Sequence, residues 1–432
     1  MKDQNKLEQS LRAGEWDTVL GKLYALDGTE ASLARARERA AGLAARFEER
    51  FPDDGTPCLF SGPGRTEIGG NHTDHQHGHV LCGSVDLDML ACAAPNGGNT
   101  VRIISEGYAP LEVSLEDLSP RESDKNSSAA LVRGVAAGIR EKGYALTGFD
   151  ACVTSTVLSG SGLSSSAAYE VLIGSIFNSF CCRGELDPVS LARIGQYAEN
   201  VHFGKPCGLM DQMGSAVGGA VAIDFYDPAD PVVKRAGYDF SKSGHALCIV
   251  DSGSCHADLT GDYAAIPREM GAVAAYFGKT VLRDVPEGEF RAAIPVLRER
   301  CGDRAVLRAI HFYDDDRFAA QEAEALEAGD FGRFLRLVNA SGLSSCLRLQ
   351  NICSFTDPRQ QAVPLALTLS AELLEGEGAS RVHGGGFAGT IQAFVPLERL
   401  ERFRNGMEAV LGQGMCHIIH IRAEGGCMLE KG

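Results

Sequence analysis

Leu158-Ser159-Gly160-Ser161-Gly162-Leu163-Ser164-Ser165-Ser166-Ala167-Ala168 is the stretch whose reading decides the fold. Ahead of it Ala151 to Leu158 reads as a strand, and from Ser164 to Phe180 runs a strong helix pattern. A glycine turn between strand and helix lets backbone N–H groups approach an anion, and the helix N-terminus adds the positive end of its dipole. Serine hydroxyls can donate to a phosphate or ligate Mg²⁺. The Gly-Lys-Ser/Thr ending of a Walker A loop is absent. A plain Ser/Gly helix cap is the simpler alternative, but strand, glycine turn and triple serine together favour a phosphate.

Around this stretch, short β-branched runs alternate with helix patterns. Val101 to Ile104, Ala220 to Phe225 and Ala246 to Val250 read as strands. Ser127 to Lys142, Pro188 to Val201 and Asp262 to Phe277 read as helices, with Gly143 as a stop and Asp187-Pro188 as a start signal. Upstream, Ala36, Ala40, Leu43, Phe47 and Phe51 share one face of a helix from Thr29 to Phe51, which Pro52-Asp53-Asp54-Gly55 ends. These patterns predict an α/β (α+β) chain. The expected division is an N-terminal helical extension (1–28) and two lobes (29–230 and 231–432), with the boundary near Asp227-Pro228-Ala229-Asp230-Pro231.

Composition narrows the partners. The 432 residues carry 41 Lys plus Arg against 57 Asp plus Glu, a formal charge of -16, which argues against nucleic acid or an anionic membrane as the main partner. No apolar stretch reaches bilayer-spanning length, and the polar N-terminal residues lack the apolar core of a signal peptide, so a cytoplasmic location is expected. The 14 cysteines include no CxxC pair and mostly lie in apolar runs, so buried free thiols are expected.

Two more glycine-rich segments carry chemistry. Gly62-Pro63-Gly64-Arg65-Thr66-Glu67-Ile68-Gly69-Gly70-Asn71-His72-Thr73-Asp74-His75 sets an arginine, a carboxylate and hydrogen-bonding side chains among glycines with turn chemistry, as a polyhydroxylated ligand requires; an ordinary surface loop is the plainer alternative. His72, His75, His77 and His79 crowd this region, and alternation of the last three would align imidazoles on a strand face. With no second cluster of ligands, solvated or locally bonded histidines are expected instead of a metal centre. His383-Gly384-Gly385-Gly386-Phe387-Ala388-Gly389 formally matches GxGxxG, but Thr390 to Val395 alternates like a strand, so a dinucleotide fold fails and a tight turn facing a phosphate or another loop remains. Asp211 stands at the start of a short helix that ends at Gly218-Gly219, where the dipole favours an ionised carboxylate.

Gly64-Arg65 through Gly78, the Gly160 to Ala168 loop, Pro206 to Gln212 and Gly384 to Gly389 occur in the order found in the galactokinase family of GHMP small-molecule kinases, which the chain resembles from about residue 45 to the end. The resemblance implies the two-lobed GHMP kinase fold, with ATP and sugar in the cleft between lobes. It implies an ATP- and Mg²⁺-dependent sugar 1-kinase, with galactose as the leading substrate. By matching position, Asp211 is the carboxylate beside the anomeric hydroxyl, Arg65 contacts Asp211 and the transferring phosphate, and Glu199 with Ser166 holds the metal. The phosphate site implied is Gly160, Ser161, Gly162, Leu163, Ser164, Ser165, Ser166 and Ala167, with Gly385 and Gly386. The sugar site implied is Asn71, His72, Asp74, Asp211 and, from a second matching segment, Tyr263.

Departures from the family pattern bear on the sugar. Asn71 stands where a glutamate facing C6 is usual, His75 where Tyr is usual, Glu67 where Asn is usual, and His383 where Thr is common. An asparagine at 71 would no longer repel a C6 carboxylate, which makes galacturonate an alternative substrate, beside N-acetylgalactosamine. A non-catalytic sugar sensor is the reading from another class; the intact Ser164-Ser165-Ser166-Ala167-Ala168 end argues against it. Between Asn339 and Phe355 no residue roles are carried across.

Overall fold

Of the segment Gly62 to His75, whose composition suggests turns, Gly62–Gly69 is strand and only the residues after Gly70 turn. The glycines of the strand serve close approach instead. The computed structural model describes residues 6–52, 54–158, 162–254, 259–354 and 358–431. Three helices come first: α1 (Lys6–Arg12), α2 (Asp17–Tyr24) and α3 (Glu30–Arg50), the last capped by the Thr29 side chain. A sheet then forms from β1 (Cys58–Gly69), β2 (His79–Pro95), β3 (Thr100–Ser105) and β4 (Leu111–Ser114), with α4 (Ser128–Glu141) leading into β5 (Phe149–Ser155). Next come α5 (Ser165–Cys182), α6 (Pro188–Tyr197) and α7 (Met210–Val217), then the hairpin of β6 (Ala220–Asp224) and β7 (Val232–Ala236).

The chain continues through β8 (His245–Asp251), α8 (Thr260–Tyr276), α9 (Glu287–Cys301), α10 (Asp303–Glu327), α11 (Phe331–Ser344) and α12 (Ala362–Leu374). It closes with β9 (Ala379–Val382), β10 (Thr390–Pro396), α13 (Leu400–Leu411), β11 (Cys416–Ile419) and β12 (Cys427–Met428). The first sheet runs β12-β1-β2-β5-β3-β4, with β6 and β7 continuing from β2. The second runs β11-β8-β10-β9. The expected boundary at 230 falls inside the β6–β7 hairpin, and both strands stay in the first sheet, where β12 also returns to pair Met428 with Phe60.

Strand alternation sorts the first core into two faces. Leu59, Leu90, Cys92 and Ala94 pack against Leu43 and Phe47 of α3, whereas Phe60, Ala91 and Ala93 pack against α4 and α5 through Val135, Leu172 and Ile176. The N-terminal segment docks on α3 by fully buried Leu11, Leu20 and Leu23. In the second sheet Cys248, Val250, Ile391 and Ala393 face α12 and α13, while Leu247, Ile249 and Phe394 face Phe334 and Val338 of α11.

Two glycines let helices reach β1 closely. A Cβ on Gly62 would strike the Ala168 carbonyl and come within 2.8 Å of Leu172 Cβ on α5; one on Gly214 of α7 would lie 2.9 Å from Arg65 Cβ. The β1–β2 register shifts between Pro63 and Arg65 and again between Glu67 and Gly69, irregularities that re-aim side chains. Gly62→Ala should therefore lower stability by about 1–3 kcal/mol through overpacking in urea unfolding. Gly42→Ala, in α3 with nothing within 4 Å, should instead raise it by up to about 1 kcal/mol.

Candidate active site

Arg65 emerges from the irregular part of β1 and is buried. Its Nε and Nη2 donate to Asp211 Oδ1 at 2.8 and 2.6 Å, its Nη1 donates to the Gly162 carbonyl, and its backbone N–H donates to the Leu163 carbonyl at 3.1 Å. Asp211 lies in the first turn of α7. Its other oxygen accepts from the Ser164 hydroxyl. Ser164 precedes α5 with φ 54° and ψ 66°, a left-handed conformation that costs a non-glycine residue on the order of 1–3 kcal/mol. Its hydroxyl serves Asp211 and leaves the N-terminal N–H groups of α5 without a side-chain cap. Burial alone would push the Asp211 carboxyl up, but the Arg65 charge and the bonds from Ser164 and Arg65 outweigh it and hold the group below the usual carboxylate range.

A second acidic cluster sits beside it. The helix predicted to reach Val201 leaves α-geometry after Tyr197 and widens into a π-turn, Ala198–Phe203, that carries Glu199. Glu199 Oε1 accepts from the Ser166 hydroxyl and from Lys205 Nζ, both at 3.1 Å. Gln212 Nε2 donates at 2.9 Å to Glu199 and to Glu170, one turn along α5 from Ser166. Burial, with Glu199 close by, pushes the Glu170 carboxyl well up, so it stays protonated. Glu170 Oε1 has no hydrogen-bond partner. This oxygen-rich donor set, with an ammonium already seated on Glu199, fits a divalent cation. Among the described residues no three His, Cys, Asp or Glu side chains form a closed metal site, so phosphate oxygens and water would complete the shell, as Mg²⁺ prefers.

The end of β1 and the third glycine segment form one network. Asn71 is fully buried. Its amide donates at 2.7 Å to both Glu67 Oε1 and the Gly384 carbonyl, and its oxygen accepts from Asn351 Nδ2 at 2.7 Å. Internal partners thus take both amide hydrogens of Asn71. Glu67 also accepts from Arg381 Nη2 of β9 at 3.0 Å. Burial, opposed by Arg381 and the Asn71 bond, leaves the Glu67 carboxyl pushed up to about 7. His72 donates from Nε2 to the Gly385 carbonyl at 2.9 Å, and burial pushes it down to about 4, so it is neutral. Tyr263 donates to the Gly386 carbonyl at 2.7 Å.

The carbonyls of Gly385 and Gly386 thus meet His72, Asn351 and Tyr263, while His383 at the segment's start approaches Gly162. Asp74 begins a 3-10 turn with its carboxylate against Gly208. The same turn, with His77 at φ 62°, prevents the imidazoles of His75, His77 and His79 from sharing a strand face. Gly160 and Ser161 lie outside the described residues. Gly162, Leu163, Ser164, Ser165, Ser166 and Ala167 run from the Arg65 contact into the first turn of α5. Sequence reasoning missed Ser164 as a partner of Asp211, and also Glu170, Lys205, Gln212 and Asn351. The spacing of Ser166 and Glu170, four apart on one helix, was the available signal for one of them.

Comparison with known proteins gives this constellation its class. Residues 130–219 match the GHMP kinases N terminal domain, and residues 45–95 match the galactokinase galactose-binding signature. The chain is a GHMP kinase, a phosphotransferase acting on a small-molecule hydroxyl. It is 32% identical to the galactokinase of Streptomyces coelicolor over 376 residues, 86% of this chain and 93% of that protein. It is 31% identical to the galactokinase of Actinobacillus pleuropneumoniae over 367 residues, 83% of this chain and 90% of that one. The chain belongs to the galactokinase family. Its fold resembles the crystal structure of Lactococcus lactis galactokinase complexed with galactose, with a TM-score of 0.75 at 22% identity, over 89% of this chain and 98% of that one.

Arg65→Ala and Asp211→Asn should each lower kcat by at least about 10²–10³, the usual cost of removing a charge partner of the transition state. Circular dichroism on the same samples should show the fold retained.

Proposed function

We propose that this kinase transfers the γ-phosphoryl group of ATP to the anomeric hydroxyl of galactose, with Mg²⁺, and that it works in the cytoplasm. The carrying observation is the Arg65–Asp211–Ser164 cluster, in which a buried guanidinium ties the serine loop to the carboxylate at the start of α7. Phosphoryl transfer asks the protein for alignment and charge stabilisation more than covalent chemistry. Arg65 answers both requirements, holding Asp211 in place and presenting positive charge to the equatorial oxygens. The uncapped N–H groups of α5 receive the phosphates.

Asp211, ionised by its partners, accepts the hydrogen bond of the sugar hydroxyl. Its lowered basicity suits an orienting group that takes the proton late in the transfer. Ser166 and Glu199 would hold Mg²⁺, which would neutralise negative charge on the phosphate groups. His72, Asp74 and Tyr263 face the sugar in this reading, with Gly385 and Gly386 closing the site through their carbonyl contacts. No helix among the described residues is long and apolar enough to cross a membrane, and every described cysteine is a free thiol, consistent with a reducing compartment.

The carboxylate absent at 71 reappears at 67, bonded directly to Asn71, so the pair keeps one carboxyl and one amide. Purified protein supplied with ATP and galactose, galacturonate, N-acetylgalactosamine or glucose should consume ATP fastest with galactose and yield the 1-phosphate. Fastest turnover of another sugar would overturn the substrate, and binding without turnover would overturn the kinase assignment for this chain.

Glu67 also sets a pH dependence. Its folded-state pKa is raised, so its contribution to stability is present below about pH 4.5 and lost as pH rises through about 7. The melting temperature of wild type relative to Glu67→Gln should therefore fall by a few degrees between pH 5 and pH 8.

A further inference from the structure

Away from the active site, a cavity of about 940 Å³ opens where the turn after α2 meets the second sheet. Neither Arg65, Ser164, Glu199 nor Asp211 lines it. Its volume lies at the upper end of the roughly 300–1,000 Å³ typical of small-molecule sites. One wall is Tyr24 to Gly28 with Arg35 of α3, so the N-terminal segment, to which the kinase site gives no task, helps to build it. The floor is apolar, with Leu247, Phe394, Ile418 and Leu400 among its residues, and Phe240 adds an aromatic ring.

The polar rim has a definite charge preference once internal partners are subtracted. Its three carboxylates are all engaged. Asp27 accepts from the Thr29 N–H at 3.0 Å and the Ser32 hydroxyl at 2.6 Å. Asp86 accepts from the N–H and Nδ1 of His420, both at 2.9 Å. Asp239 accepts from the Ser241 N–H at 3.1 Å and pairs with Lys242 at 2.9 Å. The cations are not matched in the same way. Among the described residues Arg35, exposed at the rim, makes a single bond, to the Ser32 hydroxyl, and no ion pair, and Arg404, half-buried on α13, has neither a hydrogen bond nor an ion pair. His420 has its Nδ1 on Asp86 and, among the described residues, makes no hydrogen bond from Nε2.

We propose that this cavity is a second ligand site, taking a small organic anion whose apolar, ring-sized body lies on the Leu247–Phe394–Ile418 floor and whose phosphate or carboxylate is held by Arg35, Arg404 and His420. Guanidinium forks match both anions, and an unpaired guanidinium at the rim of an apolar hollow gains most from such a partner. A neutral ligand would leave the two arginines unanswered. A cation would face carboxylates that already carry their hydrogen bonds.

The test is calorimetric titration of the full-length protein with phenyl phosphate, benzoate, inorganic phosphate and phenol. At least one aromatic anion should bind saturably and more tightly than inorganic phosphate, and phenol should not bind. The arm that wins distinguishes a phosphate from a carboxylate ligand. Affinity should fall at least about tenfold in Arg35→Ala/Arg404→Ala. It should also fall in Ser241→Trp, which narrows the cavity without removing a charge, and stay unchanged in Arg65→Ala. Both rim residues lack ion pairs, so the double variant should melt within a few degrees of wild type and keep its kinase turnover. No saturable binding below about 10 mM, an affinity indifferent to the double variant, or one lost in Arg65→Ala would overturn the proposal.

Discussion

A guanidinium buried against a β-sheet must be answered by acceptors, because stranding it costs on the order of 3–5 kcal/mol. Arg65 meets that requirement with groups drawn from two places in the chain, the Asp211 carboxylate on α7 and the Gly162 carbonyl in the serine loop, where the Leu163 carbonyl also accepts from the Arg65 backbone N–H. One charged side chain thereby fixes the mutual position of a strand, a serine-rich turn and a helix N-terminus. The packing around it follows. Gly214 is bare where α7 crosses Arg65, Gly62 is bare where α5 crosses β1, and Ser164 accepts a left-handed backbone so that its hydroxyl can reach Asp211.

The same logic joins the two sheets. Arg381 of β9 donates to Glu67 and to the Ile68 carbonyl at the end of β1, and Gln392 of β10 donates to Thr66 Oγ1 at 2.7 Å and to the Glu67 carbonyl at 3.0 Å. Buried polar bonds of this kind add little net stability but penalise every misaligned arrangement, since each leaves an unsatisfied group. They are suited to holding a site whose parts come from residues more than three hundred positions apart. Asn71 belongs to this scaffold. It ties the segment after β1 to Gly384 and Asn351.

Electrostatics divides the site into two acidic regions with different tasks. Asp211 is held ionised by Arg65 and Ser164, whereas Glu170 is held protonated beside Glu199, with Gln212 donating to both members of that second pair. The raised Glu170 carboxyl limits the negative charge of this cluster. Lys205 on Glu199 acts in the same direction.

Much of this was legible in the chain before any coordinates. The Thr29 and Asp187-Pro188 start signals, the alternation of Thr390 to Val395 in β10 and the serine-rich turn into α5 are short-range features, set by local hydrogen bonding and side-chain period. They lie where they were read. Arg65, Asp211 and Glu199 could be singled out because their segments follow the motif order of the galactokinase family, whereas Asp211 by itself reads as a helix cap. What the linear chain could not show is how those groups pair. Turn-rich Gly62 to Gly69 became a strand because its glycines admit helices, not turns; Asn71 turned inward because Glu67 and Gly384 were there to receive it; the helix carrying Glu199 widened into a π-turn. The order of strands, the return of β12 to the first sheet and the cavity under the N-terminal segment depend in the same way on contacts between distant residues. Period and capping act within a few residues, whereas burial and charge pairing act through space, and only the folded chain brings those partners together.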